Sequence, residues 1–300
     1  MKKKILVFGG SGLVGSTFIN YAKDFFDISY TYNTNNLKID NTKSFKIDLL
    51  SDNEKIPSII SQINPDVIIH MVAFPSVDFC EQNHELATEL HVDTTKKIVE
   101  YALLNNSKVI FLSTDAVFGG ELNKKYAEDD ITIPVNYYGV TKLNAEKVVL
   151  KNSNNIVVRT SVIYGWHTKS RFTNWILDYL KGKKTVDPFT DQFNCPTLVD
   201  DIAKSLIKMI KLDRSGLFHA SGKTCINRYD FAVKLSKKFG YDENLIIPVT
   251  SKEKKQEAPR PNSTCLDSSK LEKSIDFKFS DIDEGISFIL DKSRGLWRVW

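Results

Sequence analysis

An α/β fold built on a doubly wound parallel sheet, followed by a smaller C-terminal domain, is predicted by three features of this sequence. Apolar strand-like runs alternate with helical patterns through the first half. Those runs are near-continuously apolar rather than alternating, as expected of strands covered on both faces. A glycine-rich turn, Gly9-Gly10-Ser11-Gly12-Leu13-Val14-Gly15, separates the first apolar run from the first helical one.

The elements follow in order. Ile5–Phe8 reads as a short buried strand, and Leu13–Lys23 as a helix with Leu13, Phe18, Ile19 and Ala22 on one face. Ile28–Tyr32 is β-rich, Phe45–Asp48 is short and extended, and Val67–Met71 is a strand. A long helix is expected over Glu85–Asn105, its buried face marked by Leu86, Leu90, Ile98, Ala102 and Leu103. Val109–Ser113 is a strand, Asn136–Leu150 a helix and Ile156–Thr160 a strand. Beyond Tyr164-Gly165, helical runs near Phe172–Leu180, Val199–Lys211, Tyr229–Phe239 and Ile282–Asp291 are joined by polar, Pro-bearing connections. The predicted organisation is a nucleotide-binding domain over 1–165, with a return segment near 195–215, and a smaller domain over 166–300.

Bulk properties narrow the function. The 300 residues are 42% hydrophobic and 26% charged, the balance of a globular chain. No apolar run reaches the roughly 18–20 residues of a membrane helix, and the lysines at 2–4 precede too short an apolar run for a signal peptide. The net charge of +4 is dispersed, unlike the concentrated stripe of a nucleic-acid binder; Lys252, Lys254 and Lys255 are balanced by Glu253 and Glu257. Cys80, Cys195, Cys225 and Cys265 form no CxxC pair, so neither a disulfide framework nor a zinc site is expected and a cytoplasmic location fits. His70, His84, His91, His167 and His219 lack ligand spacing, and no metal is assigned.

Gly9, Gly12 and Gly15 form GxxGxxG between strand and helix. The chain there must turn tightly, admit a pyrophosphate to its backbone and pack a helix on the sheet, and the helix N-terminus offers free N–H groups to phosphate. No Asp or Glu follows the second strand near Tyr32–Asn36 to hold a ribose 2′-OH, which favours NADPH over NADH; Lys38 is a candidate for a 2′-phosphate. Asp48 reads either as an adenine-side ligand or as an acid at a helix start over Leu49–Ile60.

Tyr-x-x-x-Lys carries little weight by itself. With 11 Tyr and 34 Lys a chance match is expected, and the chain holds two, Tyr138…Lys142 and Tyr179…Lys183. Only Tyr138 opens a helix just after a strand ending in Ser113-Thr114, and ligands of such sheets bind outside the carboxyl ends of strands. Residues i and i+4 share a helix face, so Lys142 is expected beneath Tyr138, lowering its pKa. Tyr138 then exchanges a proton with a carbonyl oxygen held by Thr114, and the nicotinamide supplies hydride.

Ser113-Thr114-Asp115-Ala116-Val117-Phe118-Gly119-Gly120 resembles the STDYVFDG segment of dTDP-4-dehydrorhamnose reductases, in the extended short-chain dehydrogenase/reductase superfamily. Pro65–Ile69 resembles their PDVVIN strand, Val77–Glu81 their VDxCE segment and Asn136–Lys142 their NxYGxTK. Arg159-Thr160-Ser161, Cys195-Pro196-Thr197 with Asp201-Ile202-Ala203, and Arg260-Pro261 with Leu266-Asp267 and Lys270-Leu271 extend the resemblance over about residues 4–290. It implies a Rossmann-like fold and NAD(P)H-dependent reduction of the 4-keto group of a nucleotide-linked deoxysugar, as in dTDP-rhamnose and polysaccharide biosynthesis. Thr114, Tyr138 and Lys142 are the implied catalytic trio. Gly9, Gly12, Leu13, Val14, Gly15, Asp48, Leu49, Ala73 and Ser113, with Tyr138 and Lys142, are the implied cofactor contacts. Trp166, His167, Arg171 and Arg260 are candidates for the substrate side.

Ala116 and Val162 stand where that family has a pocket tyrosine and tryptophan, and His70 stands where it has Asn, so a different deoxysugar is open. Two rival functions stay open too: a sugar-nucleotide epimerase or dehydratase of the superfamily, and a binding subunit resembling the regulatory subunit of methionine adenosyltransferase. A homodimer is compatible with the sequence, and the C-terminal Trp297 and Trp300 are candidates for docking.

Overall fold

The computed structural model describes residues 1–295; Trp297 and Trp300 lie outside the described residues. The strands are β1 (Lys4–Phe8), β2 (Asp27–Tyr32), β3 (Lys43–Lys46), β4 (Val67–His70), β5 (Lys108–Thr114), β6 (Ile156–Thr160), β7 (Ile163–Tyr164), β8 (Phe193–Asn194), β9 (Thr197–Leu198), β10 (Gly216–Ala220) and β11 (Ile226–Asn227). The helices are α1 (Leu13–Ala22), α2 (Ile56–Ile63), α3 (Val77–Gln82), α4 (His84–Thr88), α5 (Thr94–Leu104), α6 (Tyr137–Val149), α7 (Arg171–Lys181), α8 (Val199–Lys211), α9 (Arg228–Phe239), α10 (Ser269–Ile275) and α11 (Ile282–Ser293).

Seven strands form one sheet in the order β10-β6-β5-β4-β1-β2-β3, and every pairing is parallel. Strand direction alternates side chains between two covered faces. Ile5 and Val7 pack with Phe18, Ile202 and Leu206 on the face of α1 and α8. Leu6 and Phe8 pack with Ile60, Ile98 and Val149 on the face of α2, α5 and α6. The order reverses on either side of β1, which leaves a crevice outside the carboxyl ends of β1 and β4, where such folds bind ligands.

The chain returns to this lobe after Gly165. Helix α8 packs along α1, β10 adds the seventh strand against β6, and Leu271, Ile275 and Phe279 join the same core. The second lobe is built around Phe172, Ile176, Phe231, Leu235, Ile246 and Ile286, from α7, α9 and α11. Among the described residues no helix is long and apolar enough to cross a membrane.

Two details differ from expectation. The long helix is divided: α4 runs into a π-helical turn, Glu89–Asp93, before α5. The extra residue of that turn rotates the faces before and after it out of register. Leu90, Ile98 and Ala102 are buried as expected, whereas Leu86 and Leu103 are exposed. Cys225 and Cys265, expected to be unpaired, form a disulfide with Cα atoms 5.6 Å apart across a separation of 40 residues. Packing of the second lobe brings these distant segments together, which no local spacing signals. Cys80 and Cys195 are free and buried.

Candidate active site

The glycine turn closes the carboxyl end of β1. Gly9 adopts φ +87°, and a Cβ on Gly15 would lie 2.4 Å from the Gly9 carbonyl oxygen, so α1 sits directly on the turn. The N-cap of α1 is Gly12, with no capping side chain, which leaves its first N–H groups free for an anion. A cavity of about 460 Å³ opens here, lined by Gly9, Ser11, Gly12, Asp48, Leu49 and Ala73, and by Thr31, Asn33, Met71, Phe74 and Lys169. Asp48 is held by Asn33 Nδ2 at 3.2 Å and by Leu50 N–H at 3.0 Å. Leu13, Val14 and Gly15, in the first turn of α1, do not line this cavity, and the Val14 side chain is in the core. Lys38, with φ +47°, is exposed and does not line this cavity. The tight turn, the uncapped helix end and the cleft suit a dinucleotide. When bound, such a cofactor supplies hydride chemistry.

Thr114 ends β5, and Tyr138 lies in the first turn of α6, whose N-cap Asn136 accepts from Gly139 N–H at 2.9 Å. Gly139 is needed there, since a Cβ would lie 2.2 Å from the Ala116 carbonyl oxygen. The Thr114 hydroxyl donates to Asp115 Oδ1 at 3.2 Å and lies near enough to the Tyr138 phenol to favour its ionised form. Desolvation pushes the Tyr138 phenol well above its ordinary range, the Thr114 hydroxyl opposing and Asp115 reinforcing the shift.

Lys142 is buried, and its ammonium donates to the Leu112 carbonyl at 2.8 Å and lies 3.9 Å from the Phe111 ring centroid. This corrects the expectation that Lys142 lowers the Tyr138 pKa: the ammonium is engaged below the phenol, and the burial that raises Tyr138 pulls Lys142 down to about 7. The Ser113 hydroxyl donates to Glu146, which is paired with Arg159 in the interior.

His91 is fully buried and ties these parts together. Its Nε2 accepts from Phe74 N–H at 2.9 Å, which leaves Nδ1–H to donate to Thr141 Oγ1 at 2.8 Å. Its ring meets Tyr138 edge-on at 5.6 Å. Burial, then repulsion from Lys142, holds it neutral with a pKa near 3. His70 is also fully buried, between Phe8 and Phe111, with neither ring nitrogen partnered.

A second cavity, of about 580 Å³, lies between the lobes. Arg171, Arg228, Arg260 and Lys254 line it together with Phe172, Trp175, Phe189 and Val162. Arg260 is anchored by Asp78 Oδ1 at 3.0 Å. Asp115 takes hydrogen bonds from Ser161 and Thr264, each at 2.7 Å, and faces the Arg228 charge. Two expected substrate-side residues are elsewhere. Trp166 stacks on Phe239 at the surface, and His167 bonds Ser16 of α1 at 3.1 Å. The loop after β7 turns back over the glycine turn, so His167 and Lys169 face the cofactor side. Ala116 does not line this cavity. Sequence reasoning missed Arg228 and Lys169, which belong to no motif and gain a role only through the fold.

A glycine turn at the sheet's switch point, beside a Thr–Tyr–Lys cluster, defines the short-chain dehydrogenase/reductase class. Residues 2–294 match the model of the RmlD substrate binding domain, and the chain belongs to that family. It is 30% identical to the dTDP-4-dehydrorhamnose reductase of Aggregatibacter actinomycetemcomitans over 77% of this chain and 83% of that protein. It is 31% identical to methionine adenosyltransferase 2 subunit beta of Pongo abelii over 90% of this chain and 82% of that one. A dTDP-4-dehydrorhamnose reductase from Bacillus anthracis, solved with NADP, superposes with a TM-score of 0.87 at 24% identity, over 97% of this chain and all of that one.

Proposed function

We propose that this protein is an NAD(P)H-dependent reductase acting on the 4-keto group of a nucleotide-linked deoxysugar. The carrying observation is the meeting of Thr114 with Tyr138, one helical turn from buried Lys142, between the glycine-turn cleft and the arginine-lined cavity. The segment after β4 joins the two, with Ala73 and Phe74 walling the first and Pro75 and Ser76 the second. Arg171, Arg228, Arg260 and Lys254 suit a nucleotide diphosphate, and the aromatic residues beside them suit its base. Thr114 orients the carbonyl oxygen. Tyr138, kept protonated by desolvation, gives that oxygen its proton as negative charge develops there. Lys142 supplies nearby positive charge in its ammonium form. NADPH is the favoured cofactor, since no acidic residue ends β2 to hold a ribose 2′-OH.

The test is NAD(P)H oxidation with dTDP-4-keto-6-deoxysugars, which also separates net reduction from epimerisation. Tyr138→Phe is expected to lower turnover by about 10²–10⁴-fold; unchanged turnover refutes the mechanism. A second reading, a regulatory binding subunit, draws on the 31% identity to methionine adenosyltransferase 2 subunit beta over 90% of the chain. Tight NADPH binding with no turnover of any such sugar, together with binding to a methionine adenosyltransferase catalytic subunit, favours it.

A further inference from the structure

The cleft assigned to the dinucleotide is short of positive charge. Among the described residues lining it, Lys169 is the one cation and Asp48 the one carboxylate. A nicotinamide dinucleotide brings several phosphate charges, and the uncapped end of α1 answers them only with partial charge. Lys169 does not come from the nucleotide-binding lobe. It stands in the loop between β7 and α7 and reaches back so that its ammonium donates to the Ser11 carbonyl inside the glycine turn.

That reach is built in. His167 Nδ1 accepts the Lys169 backbone N–H at 3.0 Å. Its Nε2–H is thereby left to donate to Ser16 Oγ at 3.1 Å, and Ser16 Oγ donates to the Gly12 carbonyl at 2.6 Å. Ser170 closes the loop's other side, its hydroxyl accepting from Gly165 N–H at 3.1 Å and its N–H donating to the His167 carbonyl at 3.0 Å. The loop is thus docked on the first turn of α1 with its cation over the phosphate seat. An ammonium has three donors, and the Ser11 carbonyl takes one.

We infer that Lys169 is the phosphate-binding cation of the dinucleotide cleft, delivered from the second lobe and positioned by His167. The inference rests on the reading that this cleft takes a nicotinamide dinucleotide. It has a consequence for order: the loop that grips the cofactor phosphate runs directly into Arg171 and Phe172 of the substrate-side cavity, so cofactor binding fixes one wall of that cavity before substrate arrives.

The test is direct titration of the full chain with NADPH and with NADH, for wild type, Lys169→Met and Lys169→Arg, with melting temperatures recorded for each. Lys169→Met is expected to bind about 10–100-fold more weakly, the size of one lost charge-assisted bond, and Lys169→Arg to restore most of that. Equal losses for both nucleotides assign the pyrophosphate as the partner; a loss confined to NADPH assigns the 2′-phosphate. Either result supports the inference. Wild-type binding with Lys169→Met within about twofold of it overturns the inference and leaves the reductase reading standing. If wild type binds neither nucleotide, both fall.

Discussion

Glu146 offers the sharpest test of how the catalytic helix is held. It lies one turn beyond Lys142 on α6 and is paired with Arg159 of β6, their side chains 2% and 4% exposed. Arg159 Nε donates to Oε1 at 3.0 Å and Nη2 to Oε2 at 2.8 Å, a forked pairing, while Ser113 donates to Oε1 from β5. The carboxylate therefore fastens α6 to the two strands that end beside Thr114 and Thr160. Glu146→Gln keeps the shape and removes the charge, leaving a buried guanidinium without its counter-ion, at a cost of about 3–5 kcal/mol. With a urea slope of roughly 2–3 kcal/mol per molar, the midpoint should fall by about 1–2.5 M. The double variant Glu146→Leu/Arg159→Met should recover more than half of the loss, because the uncompensated charge goes with it. Catalysis should fall as well, since the spacing of Tyr138 from Thr114 depends on where α6 sits. Urea unfolding followed by circular dichroism reads the stability. A loss below about 1 kcal/mol, the size of an exposed ion pair, would refute the reasoning.

Other consequences are equally accessible. Burial holds His70, His91 and His219 at pKa values of about 3 in the folded chain, against 6.5 ordinarily. Between those values the unfolded chain binds more protons, so stability is full above the ordinary value and declines as pH falls, by about 1.4 kcal/mol per pH unit for each histidine; urea midpoints that do not change between neutral pH and about pH 5 would contradict this. Gly15→Ala places a Cβ 2.4 Å from the Gly9 carbonyl oxygen and 2.7 Å from Gly10 Cα, both backbone atoms that can yield only if α1 lifts off the turn. NADPH affinity should drop at least about tenfold, as calorimetry would register, and an unchanged Kd would show the turn to be looser than drawn. Because Lys142 lies at about 7 in the cofactor-free protein and its ammonium form is the useful one, kcat/KM should decline as pH rises through that value. The decline should disappear from the residual activity of Lys142→Met.

The sequence by itself determined the parallel sheet, the glycine turn at its switch point and the identity of the cluster Thr114, Tyr138 and Lys142. These are local features: a buried strand must be apolar throughout, and a turn that packs a helix on its own backbone must lack a Cβ at Gly15. Helix α8 was legible to its ends, Val199–Lys211, because its apolar face is so regular. What depends on contacts between distant segments was not legible. The strand Gly216–Ala220, the Cys225–Cys265 disulfide and the approach of Arg228 to Asp115 have no sequence period to announce them. The π-helical turn at Glu89–Asp93 defeats a simple 3.6-residue pattern and turns His91 inward to bridge Phe74 and Thr141. Tertiary structure alone decided the charge state of the centre. Spacing puts Lys142 one turn from Tyr138, but burial sets its ammonium on the Leu112 carbonyl and shifts each of the two groups toward its own neutral form, because desolvation of the charged form is the largest influence on both.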